Sequence, residues 1–209
     1  MKIFYVLRHC DSIGAMSYII FGLGNKGDEY KNTRHNTGRI VIDLFRKKEK
    51  FSSWEVKKSA LISKGKIGKH SVVLVLPELM MNRSGIVLKD FIVSAKKAES
   101  LIVVHDDLDL GFGSCKISFG RGPGGHKGVK SIITHIKTKN FIRVRVGISP
   151  ITLKGKIKKP KGEKKVLDFI LAPFNKKETD MLPKLSNVPV KVLTTIVEEG
   201  RAQAMNLYN

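Results

Sequence analysis

Apolar and polar positions along the chain follow two periods. "SYIIFGL" (17–23) is a short apolar run closed by glycine and leucine, the pattern of a buried strand. "GRIVIDLFRKKEK" (38–50) instead spaces Ile40, Val41, Leu44 and Phe45 at helical intervals and ends in basic residues, which suit a helix C-terminus. "SALISKGKIGKHSVVLVL" predicts two strands joined by a glycine-containing turn, the second of them, 71–76, fully buried. Further on, 83–97 predicts a helix, 100–105 a buried strand, 114–119 an alternating strand near a sheet edge, 126–136 a helix and 141–148 a strand. Residues 186–207 are mostly helical in pattern. Strands alternating with helices, after one early hairpin, predict a single α/β domain. Its sheet is mixed, largely parallel and twisted, with helices on its flanks.

Charge changes this picture more than length does. The 209 residues suit one well-buried domain, and the 42% hydrophobic content is ordinary. Lys+Arg number 39 against 18 Asp+Glu, a formal net charge of +21. Such an excess points to an anionic partner, nucleic acid ahead of a membrane surface, although a uniformly lysine-rich surface would give the same count. Seven of these lysines crowd into "LKGKIKKPKGEKK" (153–165), which predicts an exposed loop, either simply solvated or in contact with phosphate. Cys10 and Cys115 lie far apart and match neither a disulfide framework nor a metal-ligand spacing, as suits a reducing, cytoplasmic setting. The opening "MKIFYVLRHCDSIGA" is too short and polar for a membrane span and makes a poor signal peptide. Met16 stands directly before the first strand, so residues 1–15 are expected to be an extension outside the fold, or to reflect a start at Met16 rather than Met1.

Candidate chemistry collects where the strands end. Asn25 and His35 follow the strand at 17–23, Asn82 follows 71–76, and Asp106 and Asp107 follow 100–105. Sites in open α/β sheets form at the carboxyl ends of strands, so these residues can converge at one rim if the three strands run parallel. Histidine ordinarily titrates closest to neutral pH and can take a proton from water, while a carboxylate on its other ring nitrogen fixes the tautomer. Asparagine amides can orient a water or donate to an oxygen that gains charge. No serine or cysteine sits in a nucleophile-elbow context, so the set suggests water attacking an ester or similar carbonyl. Other readings remain open: a lone loop histidine is often bonded to backbone, and "HDDLD" could be an acidic turn or a metal site. "GRGPGGHKG" (120–128) only loosely resembles a phosphate-cradling loop.

Taken together, "FGLGNKGDEYKNTRHNTG", "LPELMMNRSG", "VVHDDLDLGFG", "GRGPGGHKGVKSI" and "FIRVRVGI" resemble, in order and spacing, the motifs of bacterial-type peptidyl-tRNA hydrolases. The resemblance covers nearly all of residues 16–209 and implies a monomeric, cytoplasmic α/β enzyme that cleaves the ester between a peptide and the 3′ end of tRNA, with no metal and no other cofactor. It implies His35 as catalytic base and Asp106 as its orienting carboxylate. Asn25 and Asn82 would be substrate-positioning amides, Met81 part of a peptide-cleft wall, and Tyr30 a contact on the terminal adenosine side. Arg145 would meet tRNA phosphate.

The chain departs from the family pattern at three places. Lys26 stands where the family usually has proline, which would loosen a rigid turn. Lys127 stands where an asparagine helps position substrate and water; lysine donates but cannot accept a hydrogen bond. Ser118 aligns with a basic residue, and Lys116, on the same strand face, is the candidate replacement for phosphate contact. The competing reading is a non-hydrolytic RNA-binding protein on the same fold. Lys127 and the lysine loop lean that way, while Asn25, His35, Asn82 and Asp106 together favour the enzyme.

Overall fold

The computed structural model describes residues 17–92, 94–185 and 187–209. The expected extension at 1–15 and Cys10 lie outside them. Seven strands form one sheet in the order β2-β3-β4-β1-β5-β7-β6. In chain order they are β1 (Ser17–Gly22), β2 (Glu55–Lys57), β3 (Ala60–Ile67), β4 (His70–Pro77), β5 (Leu101–Gly111), β6 (Cys115–Phe119) and β7 (Ile142–Ser149). β1 runs parallel to β4 and β5, and β5 parallel to β7. The β2/β3, β3/β4 and β6/β7 pairs are antiparallel. The mixed, largely parallel sheet expected from the alternation is therefore present, with the early hairpin as β3 and β4 and with β6 at an edge.

Period-two alternation within the central strands feeds two cores. Tyr18, Ile20, Ile102 and Val104 point to one face, where helices α1 (Thr37–Lys48) and α7 (Asn187–Glu199) supply Val41, Ile42, Phe45, Val192, Leu193 and Ile196. Ile19, Phe21, Leu101 and Val103 point to the other, under α2 (Gly85–Leu88) and α4 (Lys127–Ile136), which supply Val87, Leu88, Val129 and Ile132. Each fully buried aliphatic or phenyl side chain here contributes roughly 1.5–3 kcal/mol. Strands covered on both faces are why these segments read as unbroken apolar runs. α1 sits very close to the sheet: a Cβ on Gly38 would lie 2.3 Å from the Val104 carbonyl oxygen and 2.6 Å from that of Leu23. Only glycine permits that approach.

Three expectations need correction. The helix expected over 83–97 is broken into α2 and α3 (Ala95–Ala98), because the Ser94 hydroxyl accepts from the Lys97 N–H and starts a new helix. The strand expected to stop at residue 105 continues through Asp106 and Asp107 to Gly111. Those carboxylates stay in a strand because histidine and arginine side chains satisfy them there. The lysine-rich loop is exposed as expected, yet its last residues open a helix, α5 (Glu163–Leu171). Two further helices, α6 (Lys176–Leu185) and α8 (Arg201–Tyr208), complete the chain. Among the described residues no helix is long and apolar enough to cross a membrane.

Candidate active site

Chain order places the site at the seam of the sheet. From β1 the chain goes to one side to build β4, and β5 then pairs with the opposite side of β1. The space beyond the carboxyl ends of two such strands is where open α/β sheets bind ligands. After β1 the chain makes a 3-10 turn, Arg34–Asn36, that leads into α1. This turn holds His35 over β5. His35 Nδ1 lies 3.1 and 3.0 Å from the two carboxylate oxygens of Asp106, and the two residues are 6% and 4% exposed.

A second histidine, His126, meets the same carboxylate, with Nε2 2.9 Å from Asp106 Oδ1. Its other nitrogen is the N-cap of α4: Nδ1 accepts from the backbone N–H of Gly128 at 3.1 Å and of Val129 at 3.3 Å. A nitrogen that accepts two N–H groups carries no proton. His126 is therefore locked with its proton on Nε2, donating to Asp106. Both nitrogens are occupied, so His126 has none left to act as a base. For His35 the logic is reversed: Nδ1 donates to the carboxylate and the lone pair on Nε2 stays available.

His105 completes the group, its ring edge-on to His126 at 4.7 Å. Its Nδ1 donates to the Asp106 carbonyl at 2.7 Å, while its Nε2 is buried with no partner among the described residues. Burial, and then electrostatics from the neighbouring His126, hold its pKa well below the usual histidine range, so His105 is neutral. Burial alone would raise the pKa of Asp106. Electrostatic interactions and hydrogen bonds with His35 and His126 reverse that and hold it far below the usual carboxylate range.

The ligating atoms of His35, Asp106 and His126 lie within 4.8 Å of one another, near enough for a metal ion. Their hydrogen bonds do not suit one. A metal on His126 Nε2 would require a proton on Nδ1, facing two backbone donors, or an imidazolate. The donor set fits proton sharing instead.

A cavity of about 590 Å³ opens beside the triad. His35, Asp106, His126, Lys127, Arg143 and Arg145 line it, and Val166, Leu167 and Ile170 of α5 form an apolar wall. Arg145 donates from Nε to Asp107 at 2.7 Å, and its two Nη groups have no acceptor among the described residues. Lys116 stands opposite Arg145 in the β6/β7 register, so the two share a face; Ser118 stands opposite the buried Arg143. Lys127 is exposed at the cavity rim.

Lys116, Asn25, Tyr30, Met81 and Asn82, also singled out in the sequence, do not line this cavity. Asn25 is buried, and its Oδ1 accepts from the Met81 N–H at 2.7 Å, which leaves its Nδ2 group without an acceptor among the described residues. Met81 is buried against α4, where a Cβ on Gly128 would be 2.4 Å from its Sδ. Asn82 is exposed and Tyr30 half-buried. Beside Lys26, Asn36 clamps Asn25, accepting from its N–H at 2.8 Å and donating to its carbonyl at 3.0 Å. Of the residues singled out in the sequence, the structure brings His35 and Asp106 into contact; His126, His105 and Asn36, which join them or Asn25, were not singled out. The available signal for His126 was its place between a glycine pair and the first residue of a helix.

A family model described as peptidyl-tRNA hydrolase matches residues 19–209. Relatives named peptidyl-tRNA hydrolase from Syntrophotalea carbinolica and from Clostridium botulinum strain Hall are each 34% identical to this chain. They cover 91% and 92% of it and 96% of their own lengths. The crystal structure of peptidyl-tRNA hydrolase from Acinetobacter baumannii superposes with a TM-score of 0.78 at 29% identity, over 92% of this chain and 94% of that one. A peptidyl-tRNA hydrolase in complex with n-propanol gives 0.79 at the same identity and coverage.

Proposed function

The chain belongs to the peptidyl-tRNA hydrolase family and hydrolyses peptidyl-tRNA, and on that premise we propose how its residues perform the reaction. His35 is the general base. Its Nδ1–H is held by Asp106, so Nε2 takes a proton from a water as that water attacks the ester carbonyl. Asp106 stabilises the imidazolium that results. When the tetrahedral intermediate collapses, the C–O bond to the tRNA ribose breaks, and the proton on His35 passes to the leaving 3′ oxygen. The products are a peptide carboxylate and a tRNA with a free 3′ end, ready for reuse in translation.

The two sides of the seam take the two halves of the substrate. Asn25 and Asn82 position the ester and peptide backbone by amide donation, with Met81 as an apolar wall between them and Tyr30 on the terminal adenosine side. Arg145, Lys116 and Lys127 hold phosphate on the cavity side. Phosphate contacts set affinity without reading sequence, as an enzyme acting on all tRNAs requires. The enzyme acts as a monomer in the cytoplasm.

The observation that carries this mechanism is the single available lone pair of the triad, on His35 Nε2. His35→Ala lowers the single-turnover hydrolysis rate by about 10²–10⁴-fold while binding of tRNA stays near the parent value. Hydrolysis at the parent rate in that variant would refute the base assignment.

A further inference from the structure

We propose that Arg34 is a positioning residue that couples the cavity wall α5 to the turn carrying His35. The inference rests on the catalytic role given to His35 above. Arg34 precedes His35 in the 3-10 turn, but its side chain reaches to the end of α5 and is 9% exposed. Its Nη1 donates to the carbonyls of Phe169 (3.5 Å), Ala172 (3.3 Å) and Pro173 (3.0 Å), and its Nη2 pairs with Glu178 at 2.7 Å. The guanidinium also lies over the Phe169 ring, 4.5 Å from its centroid.

These carbonyls belong to the end of α5. Pro173 forces Ala172 into an extended conformation (ψ 142), so the helix stops and its last carbonyls face no further helical N–H. Arg34 supplies the missing donors and places a positive charge at the negative end of the helix dipole. Backbone bonds join the same two segments: the Arg34 N–H donates to the Ala172 carbonyl, and the Phe174 N–H to that of Asn32.

α5 needs this anchor because it contributes no buried side chain of its own. At its other end the Lys159–Asp109 pair, outside the helix, is exposed and contributes little. Arg34 Nε is buried with no acceptor among the described residues, a cost that an apolar side chain filling the same space would avoid. The arginine is explained by what its fork holds rather than by packing. The wall and the base therefore share one rigid backbone turn, and a wall displaced at its C-terminal end shifts His35 with it.

The test measures kcat and KM on peptidyl-tRNA, per folded molecule, together with amide hydrogen exchange over 163–171. The proteins are the parent, Arg34→Gln, Arg34→Lys and Glu178→Gln. Arg34→Gln is expected to lower kcat about tenfold, raise KM and speed exchange in α5. Arg34→Lys keeps the charge but not the fork and recovers only part of the loss. Glu178→Gln folds with the carbonyl bonds in place and shows the same changes at smaller size, so it carries the test if Arg34→Gln does not fold. Faster exchange in α5 with kcat and KM unchanged would overturn the coupling. So would a loss of activity that only follows the folded fraction. Parent and His35→Ala proteins run alongside: a parent that hydrolyses when His35→Ala does not leaves the base assignment standing whatever Arg34 shows.

Discussion

Asp106→Asn tests the proton arrangement of the triad more sharply than deletion of any one member. The parent carboxylate accepts from both histidines, at 2.9 Å from His126 and 3.0 Å from His35. An asparagine has one accepting oxygen and one donating nitrogen. His126 is a fixed donor because its Nδ1 caps α4, so the new Oδ1 must face His126 and the Nδ2 group must face His35. His35 then accepts at Nδ1, carries its proton on Nε2 and loses its basic lone pair. Restoring the active tautomer requires His126 to release the α4 cap, at about 1–2 kcal/mol. Replacing a charged hydrogen bond by a neutral one at the imidazolium costs about 1–2 kcal/mol more. The sum, about 2–4 kcal/mol, corresponds to a roughly 30- to 1,000-fold loss in single-turnover rate. The informative comparison adds His126→Ser. Serine can cap α4 by itself and places no demand on the asparagine. In the double variant the amide is free to turn its oxygen to His35, and about tenfold of the loss returns. Strictly additive losses in the cycle would refute the tautomer lock.

Two further outcomes follow from the geometry. On the proposed contact of the exposed Lys127 with phosphate, Lys127→Asn keeps or raises the chemical rate, weakens tRNA binding and flattens its dependence on salt by up to about one counterion; a sharply slower chemical step with unchanged binding would place Lys127 in catalysis instead. His105 is held neutral with its pKa well below the ordinary value of 6.5, so the unfolded chain binds the extra proton and stability falls as pH drops below about 6.5. Denaturant titrations from pH 7.5 to 5.5 should show that slope in the parent and a shallower one in His105→Gln; identical slopes would remove His105 as its source.

The legible parts of this protein were those that depend on short-range pattern. The strand runs of β1, β4 and β5 are apolar on both faces, and their order alone brought His35, Asn25 and Asp106 to one rim. What stayed hidden depended on contacts between distant segments. Asp106 sits within β5 rather than after it because its charge is satisfied by histidines 71 and 20 residues away in sequence, and no local rule shows that. α5 was obscured by the lysines before it, and its weak apolar stripe acquires meaning only where Arg34 meets its end. Asn82, expected at the same rim, follows Met81 in the loop after β4 and is exposed.

The seam between β1 and β5 also bears on how this protein can vary. On the proposed mechanism the chemical step sits where the chain passes from one side of β1 to the other, and the two unlike halves of the substrate meet different neighbours, β4 on one side and β7 with β6 on the other. Side chains on one half can therefore change without disturbing packing on the other. Lys127 and Ser118, two of the departures from the family pattern, both line the cavity, whereas Asn25, Met81 and Asn82 do not. The way the tRNA is gripped can thus be retuned, for other salt levels or tRNA populations, around an ester-cleaving centre that stays the same.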